Sequence, residues 1–310
     1  MDRELNFYER PTDKLSAGMM DTESPDKRIV KKVKNLFSVD VEDYFHVSSF
    51  EDVIKRDDWD KYKSRIIPNI LSLLGHLENH EIKATFFVLG WVAEKFPEIV
   101  SLIHQNGHEI GCHSYDHRLI YDLSPNEFRE DTHKCKAILE QIIGEPIFGY
   151  RAPSFSLVQR TAWAWEILNE LGFKYSSSVY PIVHDRYGYP RAPRHPFVIK
   201  MDSGGRIWEI PMSTIRILGK NMPVAGGGYF RLLPYWFTKM AIRRLNRGNI
   251  PAVVYIHPWE IDHHQPKINA RFISRFRHYT NLDTTESKLK SLLSDFEFTR
   301  ISDFLKGIPD

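Results

Sequence analysis

Short apolar runs of β type recur along this chain with helical patterns between them, and four of these runs end on a residue able to do chemistry. They are Leu36–Asp40, Gly107–Cys112 running into His113, Phe148–Arg151, and Ala252–His257. Strand, helix and strand repeated in this way mean parallel strands with helices outside, an α/β fold. Such folds place their chemistry where a strand ends and a loop begins. Helices are predicted from about Ile66 to His80 and from Trp91 to Gln105. A third starts at Ser124-Pro-Asn-Glu127, which joins a capping box to a proline at the first helical position, and a fourth runs from about Leu157 to Leu171, stopped by Gly172. Residues from Tyr175 to Met222 interrupt the rhythm with prolines, glycines and aromatics, and read as loops and short strands closing one side of a groove.

His113 and His117, four residues apart, can converge on one metal ion, either from one face of a helix or from a turn at a strand end. In a chain with fourteen histidines the spacing alone is weak evidence. Its position after the buried run Gly107–Cys112, entered through a glycine turn, strengthens it. Upstream, Leu36–His46 ends an apolar run in three carboxylates, Asp40, Glu42 and Asp43. Packing them together costs like-charge repulsion unless something positive sits between them, and a metal would resolve that. Asp40 and Glu42 point the same way from an extended chain, whereas Asp43 joins them only if the strand has turned. The alternative is a helix cap followed by acidic first-turn residues.

Arg151 stands just before Ala152-Pro153, where the proline keeps its neighbour extended and the turn stiff. A guanidinium cannot deprotonate and offers a planar fork, so it is suited to fixing a carboxylate; the bland reading is a surface salt bridge of little value. A single histidine at a strand end, such as His257, is more often structural than catalytic. Four strand ends with complementary chemistry are harder to dismiss.

These segments, in chain order over roughly residues 35 to 260, resemble the motifs of the polysaccharide deacetylases of carbohydrate esterase family four, which share the NodB homology domain. Lys83–Gly90, Phe96-Pro97-Glu98 and Gly107–Gly111 are similar to that family as well. Within it the chain resembles a branch found with bacterial exopolysaccharide and exosortase systems. In that branch Asp-Val-Glu-Asp-Tyr-Phe replaces a commoner Thr-Phe-Asp-Asp, and segments like Gly226–Arg231, His257–Asp262 and Phe276–Leu282 occur. The resemblance implies an irregular (β/α)7-type barrel over residues 35–260, with residues 261–310 an extension packed on it through an amphipathic helix at about Thr285–Leu293. Residues 1–34, polar and without period, are expected to be a mobile tail.

The function implied is metal-assisted hydrolysis of an N-acetyl group on a sugar, in a bacterial exopolysaccharide or its precursor. A divalent metal, Zn²⁺ in the leading reading, would be held by His113, His117 and one carboxylate, Glu42 by parity or Asp43 by residue type. Asp40 would be the general base, Arg151 would orient it, and His257 would protonate the leaving amine. Backbone amides after Arg151 would form the oxyanion site. Two departures stand out: Val41 occupies the place of the usual metal aspartate, and Ser176 stands where the branch tends to have an aspartate, leaving Glu209, Asp185 or nothing to orient His257. Trp208, Tyr229, Phe230 and Trp259 are candidates for stacking on sugar, although a chain with 13% aromatics keeps most of them in its core. Two alternatives are kept open, an allantoinase-like small-molecule amidohydrolase with a closed pocket and a carbohydrate-binding pseudoenzyme.

Composition fits this reading. With 310 residues, 42% of them hydrophobic and 26% charged, the chain can bury a large core. The formal charge of +2 argues neither for nor against an anionic partner; no nucleic-acid partner is expected. No apolar run is long enough to span a bilayer, and Met1–Asn6 lacks the order of a secretory signal, so a cytoplasmic protein is expected. The basic stretch Lys27–Lys34 leaves peripheral contact with anionic lipid open. The two cysteines, Cys112 and Cys135, suit a reducing compartment, and Cys112 is read as core packing. The oligomeric state is not legible.

Overall fold

The computed structural model of the chain describes residues 33–184, 186–224 and 226–308. Most of the expected tail and Asp185 lie outside the described residues. In chain order come β1 (Asn35–Val41), α1 (Ile66–Glu78), β2 (Thr85–Val88), α2 (Gly90–Lys95), α3 (Pro97–Gln105), β3 (Glu109–Cys112), α4 (Pro125–Ile143), β4 (Gly149–Tyr150), α5 (Ala164–Glu170) and β5 (Tyr175–Ser176). There follow β6 (Phe197–Lys200), β7 (Arg206–Glu209), β8 (Thr214–Ile217), β9 (Lys220–Pro223), α6 (Gly227–Leu232), α7 (Tyr235–Arg247), β10 (Val253–Ile256), α8 (Phe272–Tyr279), α9 (Leu282–Asp295), β11 (Phe298–Thr299) and α10 (Ile301–Lys306).

One curled sheet runs in the order β10-β1-β2-β3-β4-β5-β7-β6, with β11 added to the start of β1, while β8 and β9 form a separate hairpin. Every pairing in the curled sheet is parallel except β6 with β7. This is the barrel-type α/β fold expected. Among the described residues no ladder joins β6 to β10, so the barrel is open between its edges.

Side-chain alternation along β1 decides which residues reach the interior. All seven of its positions are buried, as befits a parallel strand covered on both faces. Phe37, Val39 and Val41 pack outward with Ile66, Ile70 and Leu73 of α1 in the main core. Leu36 turns the other way, into an inner cluster with Phe87, Tyr175, Val253 and Tyr255. Ser38 and Asp40 share the parity of Leu36 and therefore face the barrel interior. Cys112 likewise lies in the outer core and is a free thiol.

The capping box forms as read: Ser124 Oγ accepts from Glu127 N at 3.3 Å and Glu127 Oε2 accepts from Ser124 N at 2.8 Å. Two helix readings need correction. The continuous pattern from Trp91 to Gln105 is two helices, since Pro97 can start α3 but cannot continue α2. The helix expected from Leu157 begins at Ala164, because Thr161 Oγ1 accepts from Val158 N at 2.8 Å and holds a tight turn there.

At the other end of the strands the C-terminal segment closes the barrel. Ile301 N donates to Thr85 Oγ1 at 2.9 Å and Ser302 N to Glu109 Oε2 at 3.1 Å, while Tyr175 Oη donates to Glu109 Oε1 at 2.8 Å. No described helix is long and apolar enough to cross a membrane.

Gly149 lets Tyr175 occupy this interior, for a Cβ at that position would stand 2.2 Å from Tyr175 Oη. Gly149→Ala is therefore expected to destabilise the fold by about 1–3 kcal/mol through overpacking. The measurement is the urea midpoint at constant m-value, and an unchanged midpoint would show that the phenol can move aside freely.

Candidate active site

Asp40 closes β1 on its inward parity, and Arg151 reaches it from the end of β4. Arg151 Nη1 donates to Asp40 Oδ1 and to Ser38 Oγ, both at 2.7 Å. Its Nε donates to Ser177 O at 2.9 Å and its Nη2 to Ser177 Oγ at 2.8 Å. The guanidinium lies 4.3 Å from the centroid of the Phe87 ring, and the residue is fully buried. Four of the five donors of the fork are thus tied down, and Asp40 receives one fixed donor.

One residue beyond β1, Glu42 N donates back to Asp40 O at 3.0 Å, and this turn brings the Glu42 carboxylate to the two histidines. Glu42 Oε1 stands 3.7 Å from His113 Nε2, and Oε2 stands 3.6 Å from His117 Nε2. Asp43 does not join them. Its Oδ1 accepts from Tyr44 N at 3.0 Å, and its Oδ2 accepts from Ser64 Oγ at 2.6 Å and Arg65 N at 2.8 Å, just before α1. Val41, at the position that prompted the question, is a core residue of the outer face.

The histidine pair sits on a turn at the end of β3, not on a helix. Ser114 and His117 both adopt positive φ, 65° and 60°, a conformation that costs non-glycine residues and persists only where the surroundings enforce it. Here the start of α2 does so: Gly90 N donates to Ser114 O at 2.9 Å and Trp91 N to Tyr115 O at 2.8 Å. Asp131 Oδ2 accepts from Tyr115 N at 3.0 Å and Ser114 Oγ from His117 N at 3.0 Å. His113 Nδ1 bonds Arg151 O at 2.8 Å, which turns its Nε2 toward Glu42.

These residues fit a divalent cation. Potential ligand atoms of Glu42, His113 and His117 lie within 4.8 Å of one another. Glu42 Oε2, His113 Nε2 and His117 Nδ1 are buried without a hydrogen-bond partner, an arrangement that ordinarily costs about 1–3 kcal/mol per group. Burial pushes the His117 imidazole down to about 4, so it stays in the neutral form a ligand requires. Burial would raise Glu42, but the histidines around it hold its carboxyl well below the usual range.

His257 follows β10 and faces the group, with Nε2 3.2 Å from Glu42 Oε1. Among the described residues its orienting partner is not Glu209 but Glu260, whose Oε2 lies 3.2 Å from His257 Nδ1 and accepts from His257 N at 2.9 Å. Glu209 is spent elsewhere, accepting from Ser178 N at 2.7 Å, Val179 N at 2.9 Å and Trp165 Nε1 at 3.0 Å. Asp185 lies outside the described residues. Burial opposes a charged ring at His257, but Glu42 and Glu260 outweigh it and raise the group to about 10. Glu260 in turn is drawn down to about 2, against its burial, by His257 and Arg231. Arg231 Nε donates to Glu260 Oε1 at 2.7 Å. The signal for Glu260 was its place three residues after His257 across a proline, the spacing of a capping box; nothing local marked Arg231.

Asp40, Glu42, His117 and His257 line one groove of about 390 Å³, walled by Phe155, Tyr187, Tyr229, Tyr255 and Trp259. Of the aromatics singled out in the sequence, Tyr229 and Trp259 reach it, Phe230 is core, and Trp208 packs with the inner cluster. Trp259 stacks between His257 and His278, with centroids 5.1 and 4.1 Å away. Two backbone amides after Arg151 are already committed, Ala152 N to Ser178 Oγ at 2.9 Å and Phe155 N to Ala152 O at 3.1 Å.

Comparisons with known proteins point to one family of enzymes. A family model described as polysaccharide deacetylase matches residues 57–176, and a domain of unknown function (DUF3473) matches residues 177–306. The first match contains His113, His117 and Arg151, and the second contains Glu260 and His257, while Asp40 and Glu42 precede both. A peptidoglycan-N-acetylglucosamine deacetylase of Bacillus cereus is 38% identical over 95 residues, 30% of this chain and 34% of that one. A chitooligosaccharide deacetylase of Azorhizobium caulinodans is 33% identical over 94 residues, 30% of this chain and 42% of that one. The similarity thus spans well under half the length of these relatives. A solved structure from Mycobacterium smegmatis, provisionally named a polysaccharide deacetylase, superposes with a TM-score of 0.57 at 18% identity, covering 94% of this chain and 93% of that chain, and shares the fold. Residues 57–176 thus match the polysaccharide deacetylase family model, and nearly the whole chain shares the fold of the Mycobacterium smegmatis structure.

Proposed function

We propose that the protein is a metal-dependent hydrolase that removes the acetyl group from an N-acetylated sugar unit, in a bacterial exopolysaccharide or its precursor. One observation carries the reading: a carboxylate fixed by a buried arginine, a Glu-His-His group fit for a cation, and a charged histidine all face a single aromatic-walled groove. Glu42, His113 and His117 would hold the metal. When bound, a divalent cation, zinc in this proposal, supplies Lewis-acid polarisation of the acetyl carbonyl and makes water a better nucleophile at neutral pH.

The remaining work falls to the chain's own residues. Asp40, its orientation set by Arg151, receives the proton of the attacking water. His257 carries a proton across neutral pH and delivers it to the departing amine. Glu42 pulls less on His257 once its charge is shared with a cation, and Glu260 remains as the standing source of that charge. The half-exposed Tyr187 and Tyr229 and the exposed Arg186 and Arg277 leave the groove open to solvent. An open, aromatic wall suits a sugar chain better than the closed pocket of a small-molecule amidohydrolase. Acetate release from a panel of N-acetylated oligosaccharides, with allantoin as the competing substrate, tests the assignment; turnover of allantoin alone would overturn it.

If Glu42, His113 and His117 are the ligands, Glu42→Gln, His113→Ala and His117→Ala should each lower bound metal and abolish turnover while the far-ultraviolet spectrum is kept, since an open site is not a structural staple. Asp43→Asn should retain its metal. Elemental analysis of the purified variants decides between the two carboxylates.

Asp40→Asn should bind metal normally yet lose about 10²–10⁴ in turnover, the usual worth of a general base. Normal acetate release from that variant would remove Asp40 from the role.

His257, raised by Glu42 and Glu260, carries its proton through neutrality, so loss of that proton should set the alkaline limb of the rate profile, at a lower pH once a cation shares the charge of Glu42. Removing the Glu260 charge lowers the His257 pKa, and Glu260→Gln should move that alkaline limb down by about one pH unit or more. His257→Ala should erase the limb. The profile of kcat/KM against pH, with metal content checked at each point, is the measurement, and an unmoved limb in Glu260→Gln would show that Glu260 does not set it.

A further inference from the structure

Helix α8 is amphipathic the wrong way round for a surface helix. Its apolar residues Phe272, Ile273 and Phe276 are 80%, 64% and 53% exposed, whereas His278, polar and 2% exposed, faces the protein. At 100° per residue the three apolar side chains form one arc of about 100°, with Arg275 and Arg277 on its two flanks. Both arginines are exposed. Arg271, at the start of the helix, reaches exposed Asp52 at 3.3 Å. Further exposed apolar side chains stand on α6 and α7, where Leu232 and Trp236 are 44% and 66% exposed. Arg231, the neighbour of Leu232, donates to the carbonyls of His278, Thr280 and Arg277 at 2.8, 3.1 and 2.9 Å, which sets the end of α8 beside α6. Contiguous apolar area rimmed by polar groups marks an interaction surface and not ordinary exposure.

We propose that this rim docks on the surface of an anionic lipid bilayer, with α8 lying in the interface. Aromatic and aliphatic side chains on one arc with arginines beside them are the composition of an interfacial helix, where the rings sink to the acyl boundary and the guanidinium groups meet lipid phosphates. Trp236 adds a ring suited to the headgroup level. The charge pattern favours lipid over a second copy of this chain. A two-fold contact through the same face would set Arg271, Arg275 and Arg277 against their own equivalents, in a chain of net charge +2. Arg277, His278 and Leu232 also line the groove, so docking brings the groove mouth to the bilayer surface. The inference concerns where that mouth is held and does not depend on the reaction inside.

The test is co-sedimentation of the full chain with vesicles of phosphatidylcholine alone and of phosphatidylcholine mixed with phosphatidylglycerol, at low and high salt. The protein should sediment with the mixed vesicles, less so at high salt and little with phosphatidylcholine alone. The double variant Phe272→Ser and Phe276→Ser should lower the bound fraction by about tenfold or more, and Arg275→Glu should weaken binding to the anionic vesicles. Unfolding midpoints equal to the parent protein's would show that the variants fold. Failure of the parent protein to bind, or equal binding by all variants, overturns the proposal. So does a concentration-dependent dimer, seen by sedimentation velocity, that the double serine variant abolishes without any vesicle binding.

Discussion

Arg151 is a full charge with no exposed surface, and the site is arranged around keeping it there. A buried guanidinium survives only if its donors are answered, and those that bind Ser38, Asp40 and Ser177 tie the ends of β1 and β4 to the segment after β5. Its own carbonyl takes His113 Nδ1, so the same residue sets the tautomer and direction of a candidate ligand. Breaking such a pair by removing one partner typically costs about 3–5 kcal/mol, because the other charge is left buried alone. Stability and site geometry are therefore coupled at this residue, and changes here disturb both.

Beyond it the charges alternate. Arg231 meets Glu260, Glu260 meets His257, and His257 meets Glu42. Each carboxylate lies between two nitrogen bases, which lets four ionisable groups share one buried region without an uncompensated charge. Arg231 also binds three carbonyls at the end of α8. The segment after residue 260 is thus a wall of the groove and part of its electrostatics, not an ornament added to a finished barrel.

Much of this could be read from sequence where period and chain order carry the information. The parity of β1 puts Asp40 on one side and Val41 on the other, and the strand ends at His113, Arg151 and His257 converge because parallel strands all finish on the same edge. The break at Pro97 was present in the sequence but masked by an apolar pattern that continues across it. Three things were beyond local reading. Asp43 and Glu42 are adjacent acids, and only the turn at Glu42 N, with Ser64 and Arg65 arriving from a loop, separates their fates. Arg231 looks like any helix-end arginine until α8 is folded against it. The hairpin of β6 and β7, which ends the sheet antiparallel, has no signature beyond turn residues in a stretch crowded with them.

The pairing of β1 has a consequence for how the molecule comes to exist. Its ladder takes β11 and then β2 along one edge and β10 along the other, and β10 and β11 begin only at Val253 and Phe298. A strand from the start of the described chain thus waits for partners more than two hundred residues away, and contacts of such long sequence separation are slow to form. During synthesis the N-terminal part of the domain would emerge with that edge unpaired, a template for wrong strands. Ser38 and Asp40 lie on this late-closing strand, so the groove is completed only when β10 arrives, and chains cut short of β10 leave the ribosome with both the seam and the chemistry undone.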